Sequence, residues 1–344
     1  MMLETLQQID KDLIKLLGKR IALLRESKLS GCSEETFDSI QLLAQTGVPE
    51  FVWESLVTSC AAASTATSSS STAVKPKQVT VIGGHGRMGR FFTQQLSTAG
   101  HNVRVLEHDN WDQAEQLLGK AELVLVCVPI EQTLTVIQRA SQYLAPYTAL
   151  ADITSIKTPT IQAMLLQHEG PVLSLHPMFG PEIQSFLSQN VVVCTARKEK
   201  AFQWLLEFIE SQGGKLIVCT PQEHDRMMVV IQAIRHFSTF SLGSFLAEEG
   251  IDINRSLDLS SPSYRLELSL VNRLFTQSAP MVVNIMLATK ERREAIVRLA
   301  NTYNRLAQLV VREERDALCR EFEAVGSIFG EEIICNPEKS TYEL

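Results

Sequence analysis

The sequence lacks an excess of positive charge, paired cysteines and long apolar runs, and each absence excludes a class of protein. Its 32 Lys and Arg residues against 39 Asp and Glu residues give a formal net charge of −7. Such a chain has no basic footprint for nucleic acid or an anionic membrane. No apolar run approaches the roughly 20 residues of a membrane span, and charged residues interrupt the apolar positions near the N-terminus. We therefore expect no nucleic-acid partner, no membrane association and no signal peptide.

The seven cysteines occur singly, and no two of them form a CxxC pair. An odd number fits poorly with a disulfide framework, and no cluster has the spacing of metal ligands. We expect reduced thiols that lie mostly in the core of a cytoplasmic protein, without a bound metal. The charged and apolar fractions, 21% and 45%, are those of a globular chain.

Composition divides the 344 residues into a short N-terminal part and a longer remainder. Residues 61–77 are mostly small and polar, which predicts a flexible linker. Residues 1–60 carry apolar positions at helical spacing and predict a small helical domain, with later helices over 34–45 and 49–61. So short a segment buries little surface alone, so we expect it to pair with a second copy or to pack on the rest of the chain.

Beyond the linker, strand and helix patterns alternate, which predicts a parallel, doubly wound sheet of the Rossmann type over residues 78–219. The predicted strands cover 78–82, 103–106, 122–128, 149–153, 172–175, 191–195 and 216–219, and the predicted helices cover 90–99, 112–118 and 131–144.

From Thr220 onward the pattern is helical only, which predicts an all-α domain over residues 220–344. Thr220, Pro221 and Glu223 have the arrangement of a capping box, and the helix that they start is predicted to end at Gly250. Long apolar helices in so small a domain often bury their faces against another subunit, so we expect a homodimer. The other predicted helices cover 262–276 and 281–312.

A GxGxxG sequence follows the first strand of the sheet and opens the next helix, which is the context of a dinucleotide-binding loop. We expect Gly84 to make the tight turn, Gly86 to let the backbone approach a pyrophosphate, and Gly89 to let helix and strand pack closely. The helix N-terminus adds free amides and the positive end of a dipole. The cofactor-binding residues predicted here are Gly84, His85, Gly86, Arg87, Met88 and Gly89.

Glu107 ends the second predicted strand, about 20 residues after the glycines, where a carboxylate accepts hydrogen bonds from the adenosine ribose. The same carboxylate repels a 2′-phosphate, and the next three residues include no Arg or Lys. The sequence therefore predicts NAD rather than NADP, although Arg87 in the loop would partly offset Glu107.

His176 ends a predicted strand within the segment LHPMFGP, and the segment DITSIK ends the preceding strand in the same way. The carboxyl ends of such strands are where ligands meet the nicotinamide in open α/β sheets. A lone histidine is more often structural, but this position favours a role in catalysis.

The chain also contains, in order, GGHGRMG, EHDNWD, VCVPI, ITSIK, SLHPMFGP, EHDRMM, IRHF, SSPSYRLEL and VNRLF. Over residues 78–334 these segments resemble prephenate dehydrogenases, specifically the bifunctional chorismate mutase/prephenate dehydrogenases of enterobacterial type. The resemblance implies NAD-dependent oxidative decarboxylation of prephenate to 4-hydroxyphenylpyruvate, in tyrosine biosynthesis. It also implies feedback inhibition by tyrosine. The nearest alternative substrate is arogenate, which has an amine in place of the side-chain ketone.

The same resemblance implies roles for individual residues. His176 takes the proton of the ring hydroxyl, and an ordinary histidine with a pKa of about 6.5 is a free base at neutral pH. Ser155 hydrogen-bonds that histidine and the hydroxyl, Arg273 binds the ring carboxylate, and His236 lines the site near the side chain of the substrate. The VCVPI segment adds Val128 and Pro129 to the cofactor site.

Two further residues have two interpretations each. His224, which follows the capping box, either reaches the site or is a polar residue at a helix end. Arg265 lies about 80° around a helix from Arg273, so it either faces the same cavity or forms a structural ion pair.

The N-terminal domain resembles an all-helical chorismate mutase more weakly. Arg20 matches one of the cations that such enzymes place around a dicarboxylate, but Leu3 and Gly31 stand where two others are expected. Glu34 and Glu35 lie where a later Arg-Glu pair is missing. We expect a vestigial domain without mutase activity, the alternative being an enzyme that is still bifunctional.

Overall fold

The computed structural model describes residues 2–30, 40–49, 52, 53, 56, 57, 60, 64 and 75–334. Most of the predicted linker and residues 34–39 of a predicted helix lie outside these residues, and the predicted helix over 49–61 is described only in part. The chain divides into two compact units, Met1–His224 and Asp225–Leu344.

The N-terminal part forms helices α1 (Met2–Ser30) and α2 (Ile40–Thr46). The apolar positions that predict α1 lie on a face that is about half exposed, with Leu6 at 53%, Ile9 at 50% and Leu13 at 46%. The expectation that this domain pairs with a second copy or packs on the rest of the chain stays a prediction.

The first unit is built on a seven-stranded sheet in the order β2-β1-β3-β4-β5-β6-β7. All neighbouring strands are parallel except β5 and β6. Apart from this pair the sheet is parallel, as predicted. Residues 178–189 contain no helix, and a parallel return needs a crossover connection, so the chain turns back antiparallel. The strands are β1 (Gln78–Ile82), β2 (Asn102–Leu106), β3 (Leu123–Val126), β4 (Ala149–Asp152), β5 (Val172–Pro177), β6 (Asn190–Arg197) and β7 (Lys215–Val218).

Helices cover both faces of the sheet, as a doubly wound arrangement requires. Alternate strand residues enter two separate cores, so that Val79 and Val81 pack with Phe92 on one face while Ile82 packs with Leu118 on the other. The helices are α3 (Arg87–Thr98), α4 (Ala114–Leu118), α5 (Ile130–Ser141), α6 (Thr158–Gln167) and α7 (Gln203–Ser211), with 3-10 turns over Trp111–Gln113 and Glu199–Phe202.

From Pro221 to Ile334 the described residues form helices and no strand. The long helix predicted from the capping box contains a π-helical segment, Val229–Ile234. The single helix predicted over 281–312 is wrong, because it is interrupted at Ala288 and Thr289, where the Thr289 side chain caps the next helix. No helix in the described ranges has both the length and the apolar character needed to cross a membrane. The helices are α8 (Pro221–Met228), α9 (Arg235–Glu248), α10 (Ile253–Asp258), α11 (Pro262–Phe275), α12 (Ala279–Leu287), α13 (Lys290–Val311) and α14 (Arg315–Ile334).

Candidate active site

The site residues of the first unit lie at one edge of the sheet. Strands β1 to β5 are parallel, so their carboxyl ends meet there. Strand β1 lies between β2 and β3, which makes the end of β1 the point where the strand order reverses and where open α/β sheets bind their ligands. The glycine loop follows β1, Glu107 follows β2, and Val128 and Pro129 follow β3.

The tight turn of the glycine loop is at Gly83, not at Gly84 as expected. Gly83 has a φ of +79°, and its carbonyl oxygen accepts a hydrogen bond from Gly86 N at 3.0 Å. A Cβ atom at Gly83 would lie 2.6 Å from the Cys127 carbonyl oxygen. Gly84 instead allows close packing, because a Cβ there would lie 2.7 Å from Cγ2 of Val105.

Helix α3 begins inside this loop, with Gly86 as its N-cap and no side chain bonded to its first amides. A Cβ atom at Gly89 would overlap the Gly83 carbonyl oxygen, so only glycine permits this approach of helix and loop. Uncapped amides at a helix N-terminus are donors for anions. The chemistry of these donors therefore fits the pyrophosphate of a dinucleotide.

Glu107 is fixed beside the loop. Its Oε1 atom accepts a hydrogen bond from the backbone N–H of His85 at 2.6 Å, and its own N–H donates to Oδ1 of Asn110 at 2.7 Å. The Glu107 side chain is 19% exposed. Val128 packs on the same loop, with its Cγ1 atom 3.0 Å from where a Cβ of Gly83 would lie, while Pro129 is exposed before α5.

His176 on β5 and His224 on α8 form a buried pair, with exposures of 6% and 2%. Nδ1 of His176 lies 2.8 Å from Nε2 of His224, and the ring planes cross at 69°. The first turn of α8 is fixed by Thr220, whose Oγ1 atom accepts from the N–H of Glu223 at 3.1 Å. His224 therefore contacts His176 directly, which is what the first of its two interpretations requires.

Lys157 is a site residue that the sequence reasoning missed. Its side chain is fully buried, and Nζ donates to Oδ2 of Asp152 at 3.1 Å and to Oγ of Ser174 at 2.6 Å. Nζ also donates to the carbonyl oxygen of Leu175 at 2.6 Å, and the Ser174 hydroxyl donates to Oδ1 of Asp152. The available signal was a lysine five residues after Asp152, in the segment that ends a predicted buried strand.

This network places Ser155. Ser155 lies, half-buried, in the loop between Asp152 and Lys157, and both ends of that loop are bonded to Ser174. Asp152 is also the register partner of Ser174 in the β4–β5 pair. Ser155 and His176 therefore leave adjacent parallel strands at the same edge of the sheet.

In the second unit His236 is buried at the start of α9, directly after the π-helical segment, with 6% exposure. Burial first, and then the charges of the neighbouring Arg235 and Arg292, lower the pKa of His236 to about 4. Its Nδ1 atom has no hydrogen-bond partner among the residues that the structure describes. His236 is therefore a neutral imidazole at neutral pH.

Three arginines accompany His236 in this unit. Arg292 is 1% exposed, and its guanidinium donates to the Ile285 carbonyl at 2.7 Å and to Oε1 of Gln232 at 3.3 Å. Burial lowers the pKa of Arg292 to about 10, although Asp225 acts against this shift. Burial and the nearby charge of Arg273 lower the pKa of Arg235.

The sequence reasoning assigned roles to Arg273 and His236 but none to Arg292, nor to Arg235, although Arg235 lies in the IRHF segment that carries the resemblance. Arg265 donates to Oγ of Ser260 at 2.8 Å and to the Leu257 carbonyl at 3.5 Å. Its contacts are therefore structural, but they are hydrogen bonds rather than the expected ion pair. In the described ranges, no three His, Cys, Asp or Glu side chains are grouped as metal ligands would be.

A dinucleotide cradle at the switch point of the sheet, with a buried histidine at the end of a nearby strand, defines a nicotinamide-dependent dehydrogenase. Comparison with known proteins gives the family. Residues 93–218 match the family model "Prephenate dehydrogenase, nucleotide-binding domain", and residues 220–324 match "Prephenate dehydrogenase, dimerization domain".

Curated relatives agree with these matches. The T-protein of Enterobacter agglomerans is 40% identical over 255 residues, covering 74% of this chain and 68% of the relative. The T-protein of Haemophilus influenzae is 39% identical over 254 residues, covering 74% of this chain and 67% of the relative. The chain belongs to the prephenate dehydrogenase family.

A solved structure has the same fold. It is the prephenate dehydrogenase from A. aeolicus in complex with hydroxyphenyl propionate and NAD+, with a TM-score of 0.59 and 18% sequence identity. The match covers 76% of this chain and 100% of that one.

Proposed function

We propose that this chain catalyses the NAD-dependent oxidative decarboxylation of prephenate to 4-hydroxyphenylpyruvate in tyrosine biosynthesis. The observation that carries the proposal is the position of His176, buried at the edge of the sheet where the dinucleotide cradle lies. Family membership gives the substrate class, and the histidine gives the base that the reaction needs.

His176 takes the proton of the ring hydroxyl while the ring carbon that bears this hydroxyl loses a hydride. NAD, when bound, supplies the acceptor for that hydride. Ring double bonds connect the resulting ketone to the carbon that bears the ring carboxylate. When carbon dioxide leaves, the electron pair of the broken bond moves through them to the ketone oxygen, which gives an aromatic phenolate. The proton held by His176 returns to the oxygen of the phenol. Ser155, at the same edge of the sheet, orients the hydroxyl and the imidazole.

The preference for NAD over NADP rests on Glu107. Its carboxylate is held by the His85 amide, so one oxygen is fixed and the other can accept from a ribose hydroxyl. A 2′-phosphate at this position would meet a fixed negative charge. Arg87 is exposed at the start of α3. Its positive charge would attract a 2′-phosphate and so partly offset the repulsion by Glu107.

The preference for prephenate over arogenate rests on the second unit. Arg273 binds the ring carboxylate, because a guanidinium matches a carboxylate in bidentate geometry. His236 is neutral and lies close enough to Arg235 and Arg292 for their charges to act on it. A cationic environment favours the keto acid side chain and disfavours an ammonium group.

The N-terminal domain has no mutase activity in this proposal. Arg20 is the one cation retained from the expected set, and its buried Nη1 atom has no hydrogen-bond partner within the described residues. A single guanidinium cannot balance a dianion. Turnover of chorismate to prephenate by the purified protein, above the uncatalysed rate, would contradict this.

The chain is proposed to act as a homodimer in the cytoplasm. The match of residues 220–324 to a dimerization domain supports this, as do the exposed apolar side chains of α13 and α14, such as Val311 at 75% and Phe322 at 82%. The cytoplasmic location rests on the single, scattered cysteines. Inhibition by tyrosine stays a prediction from the family.

The test is the appearance of NADH when the purified full chain meets prephenate and NAD. We expect kcat/KM with prephenate and NAD to exceed the values with arogenate or with NADP by more than about tenfold, which is 1.4 kcal/mol in transition-state stabilisation. Protein carrying His176→Asn, prepared identically, controls for contaminating activity. Higher kcat/KM with arogenate would overturn the substrate, and higher kcat/KM with NADP would overturn the cofactor.

A further inference from the structure

We infer that His224 is a positioning residue that keeps one proton of His176 on Nδ1 and so leaves Nε2 to accept the proton of the substrate hydroxyl. The inference rests on the proposed function, since it assigns the orientation of the base in that reaction. It concerns a contact between two residues that are 48 positions apart in the sequence.

The contact is a hydrogen bond between two ring nitrogens. At 2.8 Å between Nδ1 of His176 and Nε2 of His224, one nitrogen carries the hydrogen and the other accepts it. Both rings are buried, with exposures of 6% and 2%, so water cannot readily replace either partner. The protonation of one ring therefore dictates that of the other.

The reaction selects one of the two arrangements. If His224 donated, the proton of neutral His176 would sit on Nε2, and that nitrogen would have no lone pair for the substrate proton. If His176 donates through Nδ1, Nε2 keeps its lone pair. A base that is ready to act therefore requires His224 to be the acceptor.

The position of His224 in α8 favours this arrangement. Helix α8 begins at Pro221, and Thr220 caps it, so His224 lies in its first turn. The positive end of the helix dipole opposes a positive charge on the His224 ring. A neutral His224 can accept from Nδ1 both before and after His176 takes up the substrate proton.

A neutral orienting group also suits the substrate. In serine hydrolases a carboxylate holds the Nδ1–H of the catalytic histidine. Here a carboxylate would add a negative charge close to a dianionic substrate, and the Coulomb repulsion would weaken binding. An imidazole orients the base without that charge.

Kinetics of two variants test the inference. His224→Leu removes the acceptor, and we expect kcat to fall on the order of 10²-fold while KM for prephenate changes less than about twofold. His224→Gln places an amide oxygen that can accept from Nδ1, so we expect it to restore most of kcat. An unchanged kcat in a folded His224→Leu variant, or equal losses in both variants, would overturn the inference.

His168 provides a matched control. It is also a buried histidine of the first unit, at 5% exposure, and it bonds the Thr148 carbonyl at 2.7 Å, away from the site edge. We expect His168→Gln to lower stability and to leave kcat unchanged.

A second readout does not depend on turnover. Protein labelled with ¹⁵N at its histidines reports by NMR which ring nitrogen carries hydrogen, and His176→Asn identifies the signals of His176. We expect hydrogen on Nδ1 of His176 in the wild-type protein and in His224→Gln, and a mixture of tautomers in His224→Leu. Hydrogen on Nε2 in the wild type would overturn the inference. If the protein fails to oxidise prephenate, the proposed function fails while this tautomer measurement still decides the role of His224.

Discussion

The ammonium group of Lys157 lies 3.1 Å from the carboxylate of Asp152, and both side chains are fully buried. The pair joins the end of β4 to the start of α6, and Ser174 and Leu175 on β5 bind the same ammonium. The loop that carries Ser155 is therefore held against the strand that carries His176. The positions of Ser155 and His176, for which we propose roles in the reaction, therefore depend on a charge pair that water does not reach.

We expect Lys157→Met to destabilise the first unit by about 3–5 kcal/mol, because it leaves the Asp152 carboxylate buried without its counter-charge. The double variant Lys157→Met/Asp152→Leu removes both charges and should recover part of that loss. Urea unfolding measures both values. Lys77→Met, which breaks a partly exposed pair with Glu122 in the same unit, is the control and should cost at most about 1 kcal/mol. Equal losses in the two single variants would contradict a special role for the buried pair.

Substitutions of His176 and Arg273 should change different kinetic parameters. We expect His176→Asn to lower kcat by roughly 10²–10⁴-fold with little change in KM, because the base acts in the transition state. Arg273→Ala should instead raise KM for prephenate by about 10–100-fold, since charge-assisted hydrogen bonds to the carboxylate are lost. Steady-state kinetics separate the two. Arg265→Ala, on the same helix but bonded to Ser260, should change neither parameter. The opposite pattern would show that the two roles are exchanged.

Glu107 should determine the choice of cofactor. Glu107→Gln keeps the size of the side chain and an acceptor for the His85 amide but removes the negative charge. We expect the ratio of kcat/KM for NAD to that for NADP to fall by about tenfold or more, because the repulsion of the 2′-phosphate is lost. Initial rates with the two cofactors measure the ratio. If the ratio stays constant in the variant, another group sets the preference.

His236 should make stability depend on pH. Its pKa is about 4 in the folded chain and about 6.5 in an unfolded one, so the unfolded state binds more protons between these values. The stability associated with neutral His236 is therefore complete above about pH 6.5 and is lost as the pH falls toward 4.

His236→Gln removes this titration. We expect the difference in unfolding free energy between wild type and variant to be constant above about pH 6.5 and to shift in favour of the variant at lower pH. Denaturant unfolding at a series of pH values measures the difference, and the constant region at higher pH is the internal reference. A difference that does not vary with pH would mean that His236 titrates normally.

The sequence by itself determined the local features. Every strand of the sheet follows from apolar runs and their spacing, and the glycine loop follows from its place between a strand and a helix. His176 and Glu107 could be named because each ends a strand, and the carboxyl ends of parallel strands share one edge. These features depend on periodicity and turn chemistry within a few residues.

The tertiary structure alone decided which distant residues meet. The turn at Gly83 rather than Gly84 depends on the neighbouring Cys127 carbonyl, and the reversal of β6 depends on the absence of a crossover helix in 178–189. The contacts of Lys157 with Ser174 and of His176 with His224 join separate elements. Local sequence patterns carry no distance between such elements, since packing sets that distance, and so the partner of His176 became visible only in the folded chain.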